Sequence, residues 1–198
     1  TGLMLGTGTR IVATEKLHTQ GNMVQTQNAL DVAVDGDGFF QVLRPDGTMG
    51  YTRNGSFKLS QAGQVVTASG YIVQPAIAVP LGSQSVTIGV DGSVSVKFFD
   101  QPAAQVVGQI NVNTFINPAG LQPKGENMYG ETFSSGAAIQ GIPGQAGAGK
   151  LVQGALEASN VNVVEEMVSM IETQRAYEVN SKAISSANQM LQFLNQNL

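Results

Sequence analysis

Cysteine and tryptophan are absent from this 198-residue chain, and histidine occurs once, as His18. Without Cys there is no disulfide frame, no thiolate chemistry and no zinc site of the Cys type. The avoidance suits an oxidising compartment. With a single His, a Ser-His-Asp triad would have to use His18, and no G-x-S-x-G elbow accompanies it. Charge is scarce as well. Lys, Arg, Asp and Glu make up 12% of the chain, about half the roughly 25% of an ordinary soluble domain. The net charge of −4 argues against a basic nucleic-acid binder, because counterion release needs clustered cations. There is no run of about 18 apolar residues, so no membrane insertion is expected. The start, Thr1-Gly2-Leu3-Met4, has neither the basic flank nor the apolar run of a signal peptide, and it lacks an initiator Met, as a fragment would.

What stands in place of charge is amide. The chain holds 19 Gln and 13 Asn, and an amide costs far less to bury than an ion once it finds partners. Such a surface can be covered by another copy of the same protein without stranding ions; compositional drift would leave the same tally. With 42% apolar residues the chain is not a charged disordered protein, and its length suffices for a core.

Residues 1–28 are polar and irregular and read as an extended segment leading into a module. From Ala29 the pattern turns β: Leu30, Val32 and Val34 alternate until Asp35-Gly36-Asp37-Gly38 breaks the run. Arg44-Pro45-Asp46-Gly47 reads as a turn, with Pro presetting φ and Gly accepting φ > 0. Asn54-Gly55 reads as a two-residue hairpin. Val86, Ile88 and Val90, then Asp91-Gly92, then Val94, Val96 and Phe98 predict a hairpin with one buried face. Val106, Ile110, Val112 and Ile116 predict one further strand, and Leu151–Glu157 a short returning one. Turn signals every 8–12 residues or so predict an antiparallel sandwich or barrel-like module over 29–157. Within it, residues 117–150 hold 8 Gly and 3 Pro without sustained periodicity and read as a long loop or loosely ordered insertion.

From Val163 the period becomes helical. Val163, Met170, Tyr177, Ile184, Leu191 and Leu198 recur every seven residues, and no Gly or Pro interrupts 163–198. Asn162 with Glu165 makes a capping pair, and Glu178 with Lys182 an i,i+4 pair. The companion line Glu166, Thr173, Asn180, Ala187 and Leu194 turns apolar only at its end; Val164, Met167, Val168 and Ile171 widen the face at its start. Residues 183–198 carry no charge, whereas a surface helix has a charged outer face. One apolar stripe does not offset the backbone entropy of ordering so long a helix. The helix is therefore expected to be covered on more than one side by other helices, and to be largely disordered in an isolated subunit. The fold class is mainly β with a long C-terminal α-helix of coiled-coil type spanning 158–198.

Candidate chemistry is thin. Gly144-Gln-Ala-Gly-Ala-Gly149-Lys150 fits seven places of a phosphate-binding loop, but Leu151 stands where Mg²⁺ needs Ser or Thr. Asp35 and Asp37 open like a calcium loop, but Phe39 and Phe40 occupy the next ligand and the turn Gly. Paired carboxylates for glycoside hydrolysis would have to come from Asp31, Asp35, Asp37 and Asp46, which sit at strand ends where Asp is ordinary. The seven Met read as packing residues, not as a binding groove. No catalytic residue, cofactor or metal is assigned.

Ser159-Asn-Val-Asn-Val-Val-Glu-Glu-Met167 and Gln174-Arg-Ala-Tyr-Glu-Val-Asn180, followed by Asn188-Gln189-Met190-Leu191, resemble the C-terminal signature of bacterial flagellar rod and hook proteins. Upstream, Thr14-Glu-Lys-Leu-His-Thr-Gln-Gly-Asn22, Asp31-Val-Ala-Val-Asp-Gly-Asp-Gly-Phe-Phe40, Tyr51-Thr-Arg-Asn-Gly-Ser-Phe57 and Thr67-Ala-Ser-Gly-Tyr71 are similar to the same family. The likeness covers nearly the whole chain and is greatest to the family's distal rod branch. It implies a non-enzymatic subunit of the axial drive shaft, a hollow helical homo-oligomer transmitting torque from motor to hook. It also implies proximal rod subunits, hook subunits and the surrounding basal-body rings as partners. The implied location is the basal body, crossing the periplasm to the outer membrane, reached through the flagellar export channel. In the family, N- and C-terminal helices form an inner tube and β domains the outer wall. The family's N-terminal helix and Asn-rich start have no counterpart here, as in a chain that begins after that helix. The expected assembly interface is Val163, Met167, Met170, Ile171, Tyr177, Ile184, Ala187, Leu191 and Leu194. Alternatives are a proximal rod or hook subunit; a β-rich adhesin, which would want exposed aromatics; and an enzyme depending on Asp35 or Asp37.

Overall fold

The computed structural model describes residues 10–99 and 103–196, with the backbone alone at residues 191 and 194–196. The chain divides into two compact units, Thr1–Ala158 and Ser159–Leu198.

The first unit is built from short antiparallel strands. They are β1 (Met23–Gln25), β2 (Val32–Asp35), β3 (Phe40–Leu43), β4 (Met49–Thr52), β5 (Phe57–Leu59), β6 (Val65–Thr67) and β7 (Ile72–Gln74), then β8 (Ser83–Ile88), β9 (Ser93–Phe98), β10 (Gln105–Gln109) and β11 (Val112–Thr114). After a 3-10 turn at Pro118–Gly120 come β12 (Gln122–Gly125), β13 (Met128–Gly130), β14 (Ile139–Gly141), β15 (Lys150–Gln153) and β16 (Ala155–Glu157). A seven-stranded sheet runs β12-β13-β4-β3-β7-β6-β5 and a three-stranded one β10-β9-β8. Three two-stranded pairs, β1-β16, β15-β2 and β11-β14, complete it. The module is antiparallel as expected, but no closed barrel forms among the described residues.

Period-2 geometry divides the interior between two clusters. The consecutive Phe39 and Phe40 point to opposite faces. Phe40 packs edge-to-face on Phe57 with ring centres 5.0 Å apart, inside a core with Val32, Val42, Val96 and Leu151. Phe39 meets Phe115 at 5.7 Å in a second cluster with Tyr51 and Leu121.

The β8–β9 hairpin forms, with Val86 opposite Val96, Ile88 opposite Val94, and a loop of Val90, Asp91 and Gly92 closed by the Gly89 N–H donating to Ser93 O. Val94 and Val96 are buried, while Val90 lies beyond the strand and is exposed. The Arg44–Gly47 turn also forms, closing β3 onto β4 with the Gly47 N–H donating to Arg44 O at 3.0 Å.

Other readings need correction. Asn54-Gly55 does not make a hairpin: β4 pairs with β3 and β13, and β5 with β6. Instead Asn54 Oδ1 accepts the Ser56 N–H at 3.1 Å, and Gly55 O accepts the Val32 N–H at 3.0 Å. A Cβ at Gly55 would sit 1.6 Å from Val32 O, so the glycine is there for close approach to β2. Residues 117–150 are not a loose loop, since β12 and β13 extend the main sheet and Leu121 and Met128 are buried. Strands of three or four residues are too short to register as periodicity. The single strand read over 106–116 is two, β10 and β11, and the returning strand is β15 and β16 split at Gly154, φ +73°. The Gly144–Gly149 segment is a set turn: Gly144 N–H donates to Gly149 O at 3.0 Å, and Gly149 N–H to Asp37 O at 2.8 Å.

The second unit is one helix, α1 (Val163–Gln196), about 51 Å long at 1.5 Å per residue.

Candidate assembly surface

Helix α1 starts where the sequence places its cap. Asn162 Oδ1 accepts the Val164 N–H at 3.2 Å, and Asn162 O accepts the Glu166 N–H at 3.0 Å. Glu165 and Glu166 in the first turn complement the positive end of the helix dipole.

Every α1 residue with a described side chain is exposed. Val163, Met170, Tyr177 and Ile184 form one axial line, with exposures between 61% for Met170 and 76% for Tyr177. At 100° per residue, Met167 and Ala187 flank that line within about 60° on either side. Ile171, next in sequence to Met170, stands about 100° away and widens the face. Leu191 and Leu194 belong to the expected interface, but their side chains lie outside the described residues, as does Leu198.

Sequence reasoning missed a second apolar seam. Val179 and Phe193, 64% and 68% exposed, lie on the line that begins with Glu165 and Glu172, roughly opposite Met170. That line is charged in the upper half of the helix and in the lower half carries Val179 and Phe193 with Ser186 between them. The signal was legible at a spacing of twice seven. The expected Glu178–Lys182 pair does not close: the ion pairs among the described residues are Arg44–Asp46 and Arg53–Glu157, both in the β module.

The module has a polar hub of its own. Arg53 Nε donates to Glu157 Oε2 at 2.8 Å, and Arg53 also reaches Gly36 O at 3.1 Å and Gly38 O at 3.3 Å. Glu157 Oε1 accepts the Gly21 N–H at 2.9 Å, and Gln20 Nε2 donates to Asp35 at 3.2 Å. The incoming segment is thereby tied to the loop before β3 and to the last strand. Gly38 takes φ +145°, and a Cβ there would meet Val112 Cγ1 at 1.9 Å.

The same segment is held by His18, which stacks edge-on against Phe39 at 5.6 Å and Tyr129 at 5.2 Å. Lys16 Nζ lies 5.2 Å from the Tyr129 ring centre. Burial pushes the His18 imidazole below its usual range, and the Lys16 and Arg53 cations add to this. The unfolded chain therefore binds a proton that the folded one resists. The module is expected to lose stability as pH falls from about 6.5 toward the depressed folded value. Urea unfolding across that interval checks this, and His18→Gln removes the dependence.

No group of three or more metal-ligating side chains occurs among the described residues. A cleft of about 250 Å³ opens between His18, Asp37, Phe39, Arg53, Phe115 and Ile116, but Arg53 is already saturated by Glu157 and carbonyls. Asp35 and Asp37 sit at the turn between β2 and β3. No described helix is long and apolar enough to cross a membrane.

The chain joins an antiparallel β module to a long helix with an exposed apolar line, and its sequence matches known proteins. Residues 33–96 match the model of the flagellar hook protein FlgE/F/G D1 domain, and residues 152–197 that of the flagellar basal body rod FlgEFG protein C-terminal. The flagellar basal-body rod protein FlgG of Buchnera aphidicola (subsp. Acyrthosiphon pisum) is 53% identical over 98% of this chain and 75% of its own length. FlgG of Borreliella burgdorferi is 49% identical over 98% of this chain and 74% of its own. The flagellar hook protein FlgE of Salmonella typhimurium is 42% identical over only 56% of this chain and 27% of its own. The chain belongs to the family of flagellar basal-body rod proteins.

Proposed function

We propose that the chain is a structural subunit of the distal flagellar rod, self-assembling through α1 into a hollow helical tube that carries torque from motor to hook. The observation that carries this reading is the unbroken apolar line of α1, exposed at each described position. Membership in a family of structural rod proteins makes the chain a structural subunit rather than an enzyme. Identical subunits joined by unlike surfaces propagate as a filament when the rotation does not close. Torque transmission needs many packed contacts and no reactive group. The interface residues are Val163, Met167, Met170, Ile171, Tyr177, Ile184, Ala187, Leu191 and Leu194. The proposed partners are further copies, proximal rod subunits, hook subunits and the surrounding rings. The proposed location is the part of the basal body that crosses the periplasm to the outer membrane, reached through the export channel. The hook reading is weaker, because the hook relative aligns over little more than half of the chain.

Negative-stain microscopy of the purified complete protein tests the reading. Rods are expected to appear with rising concentration; particles that stay single at every concentration overturn it.

A further inference from the structure

The charges of α1 are few, exposed and without ion-pair partners among the described residues, and their spacing is specific. Glu165, Glu166, Glu172 and Glu178 are its acids, Arg175 and Lys182 its cations. Ten residues separate Glu165 from Arg175, and ten separate Glu172 from Lys182. Between two parallel copies of this helix, a shift of ten residues pairs both cations with glutamates. It is the one shift to do so, and it opposes no like charges. Shifts of six and seven are the worst: six sets Glu166 against Glu172 and Glu172 against Glu178. Seven sets Glu165 against Glu172 and Arg175 against Lys182.

The geometry supports the same shift. Glu165 and Glu172 are seven apart and share one line of the helix; Arg175 and Lys182 are seven apart and share another. The two lines run side by side, about 60° apart, on the side away from Met170 and Tyr177. The contact therefore uses the side away from the Met170 line, where the exposed Val168 and Val179 stand among the charges.

We propose that a second copy of this chain docks along the charged side of α1, parallel to it and offset by ten residues, about 15 Å, with Glu165 facing Arg175 and Glu172 facing Lys182 across the contact. The inference rests on the assembly reading above, since repetition along one axis keeps every copy pointing the same way. Charge complementarity sets the register, and Val168 and Val179 supply apolar contact beside it.

The test uses the complete protein and the critical concentration for polymerisation, read by sedimentation. Glu172→Lys and Lys182→Glu each raise it about tenfold at low salt. The double variant E172K/K182E, and an equimolar mixture of the two single variants, return it to near the wild-type value. Rescue in the mixture requires pairing between chains. In about 1 M salt the single-variant penalties shrink, because the screening length falls to about 3 Å. Glu165→Lys with Arg175→Glu repeats the cycle at the other contact. Wild-type rods with unaffected single variants overturn the register while leaving the assembly reading intact. Rescue of E172K chains by mixing with R175E chains instead of K182E chains means an antiparallel contact and also overturns it. A wild-type protein that never polymerises overturns both.

Discussion

Replacing Ile184 and Leu191 with Asp is expected to abolish rods while the β module stays folded. Both residues stand on the line that recurs every seven residues from Val163, and Ile184 is 65% exposed in the single chain. In a rod built as proposed that line is covered, so each new carboxylate must be desolvated without a partner, at several kcal/mol apiece. Every copy carries the penalty at every contact, and the critical concentration rises at least about a thousandfold, equivalent to roughly 4 kcal/mol. The module does not feel the change, because its core is drawn from residues between Val32 and Leu151. Circular dichroism and urea unfolding of the module should match wild type, while microscopy shows no rods and cells lose motility. Normal rods and swimming in this variant would end the assembly proposal.

Glu157→Ala is expected to destabilise the β module by about 3 kcal/mol, lowering its melting temperature by roughly 6–12 °C. The side chains of Arg53 and Glu157 are only 16% and 11% exposed. Removing the carboxylate strands a guanidinium against the Gly36 and Gly38 carbonyls, and it frees the Gly21 N–H. Breaking one partner of a buried pair costs more than replacing both. Arg53→Met with Glu157→Leu should therefore recover most of the loss. Calorimetry on the three proteins checks the order; a single variant as stable as wild type would reduce the hub to a surface contact.

The parts of the molecule legible from sequence are those in which one local rule acts alone. The β8–β9 hairpin was readable because Val86, Ile88, Val94 and Val96 alternate around Asp91-Gly92. The helix was readable because its period holds from Val163 through Ile184 and beyond. Asn54-Gly55 was misread because Gly55 answers a tertiary demand, the approach of Val32 O, that a local turn signal does not contain. Residues 117–150 show no such pattern, because β13 gains its order from β4 at Tyr51 and Thr52, β12 from β13, and β14 from β11. Arg53 was visible only as part of a motif; its partner lies 104 residues away. The exposed seam of Val179 and Phe193 was present in the spacing and was overshadowed by the more regular Met170 line.

The pairing of β1 with β16 sets Met23 opposite Glu157. The chain thus enters and leaves the module through one antiparallel clasp, its two strands about 5 Å apart. A domain closed in that way behaves as a removable cassette. It can be enlarged, trimmed or exchanged over evolution while the sequences on either side keep their separation.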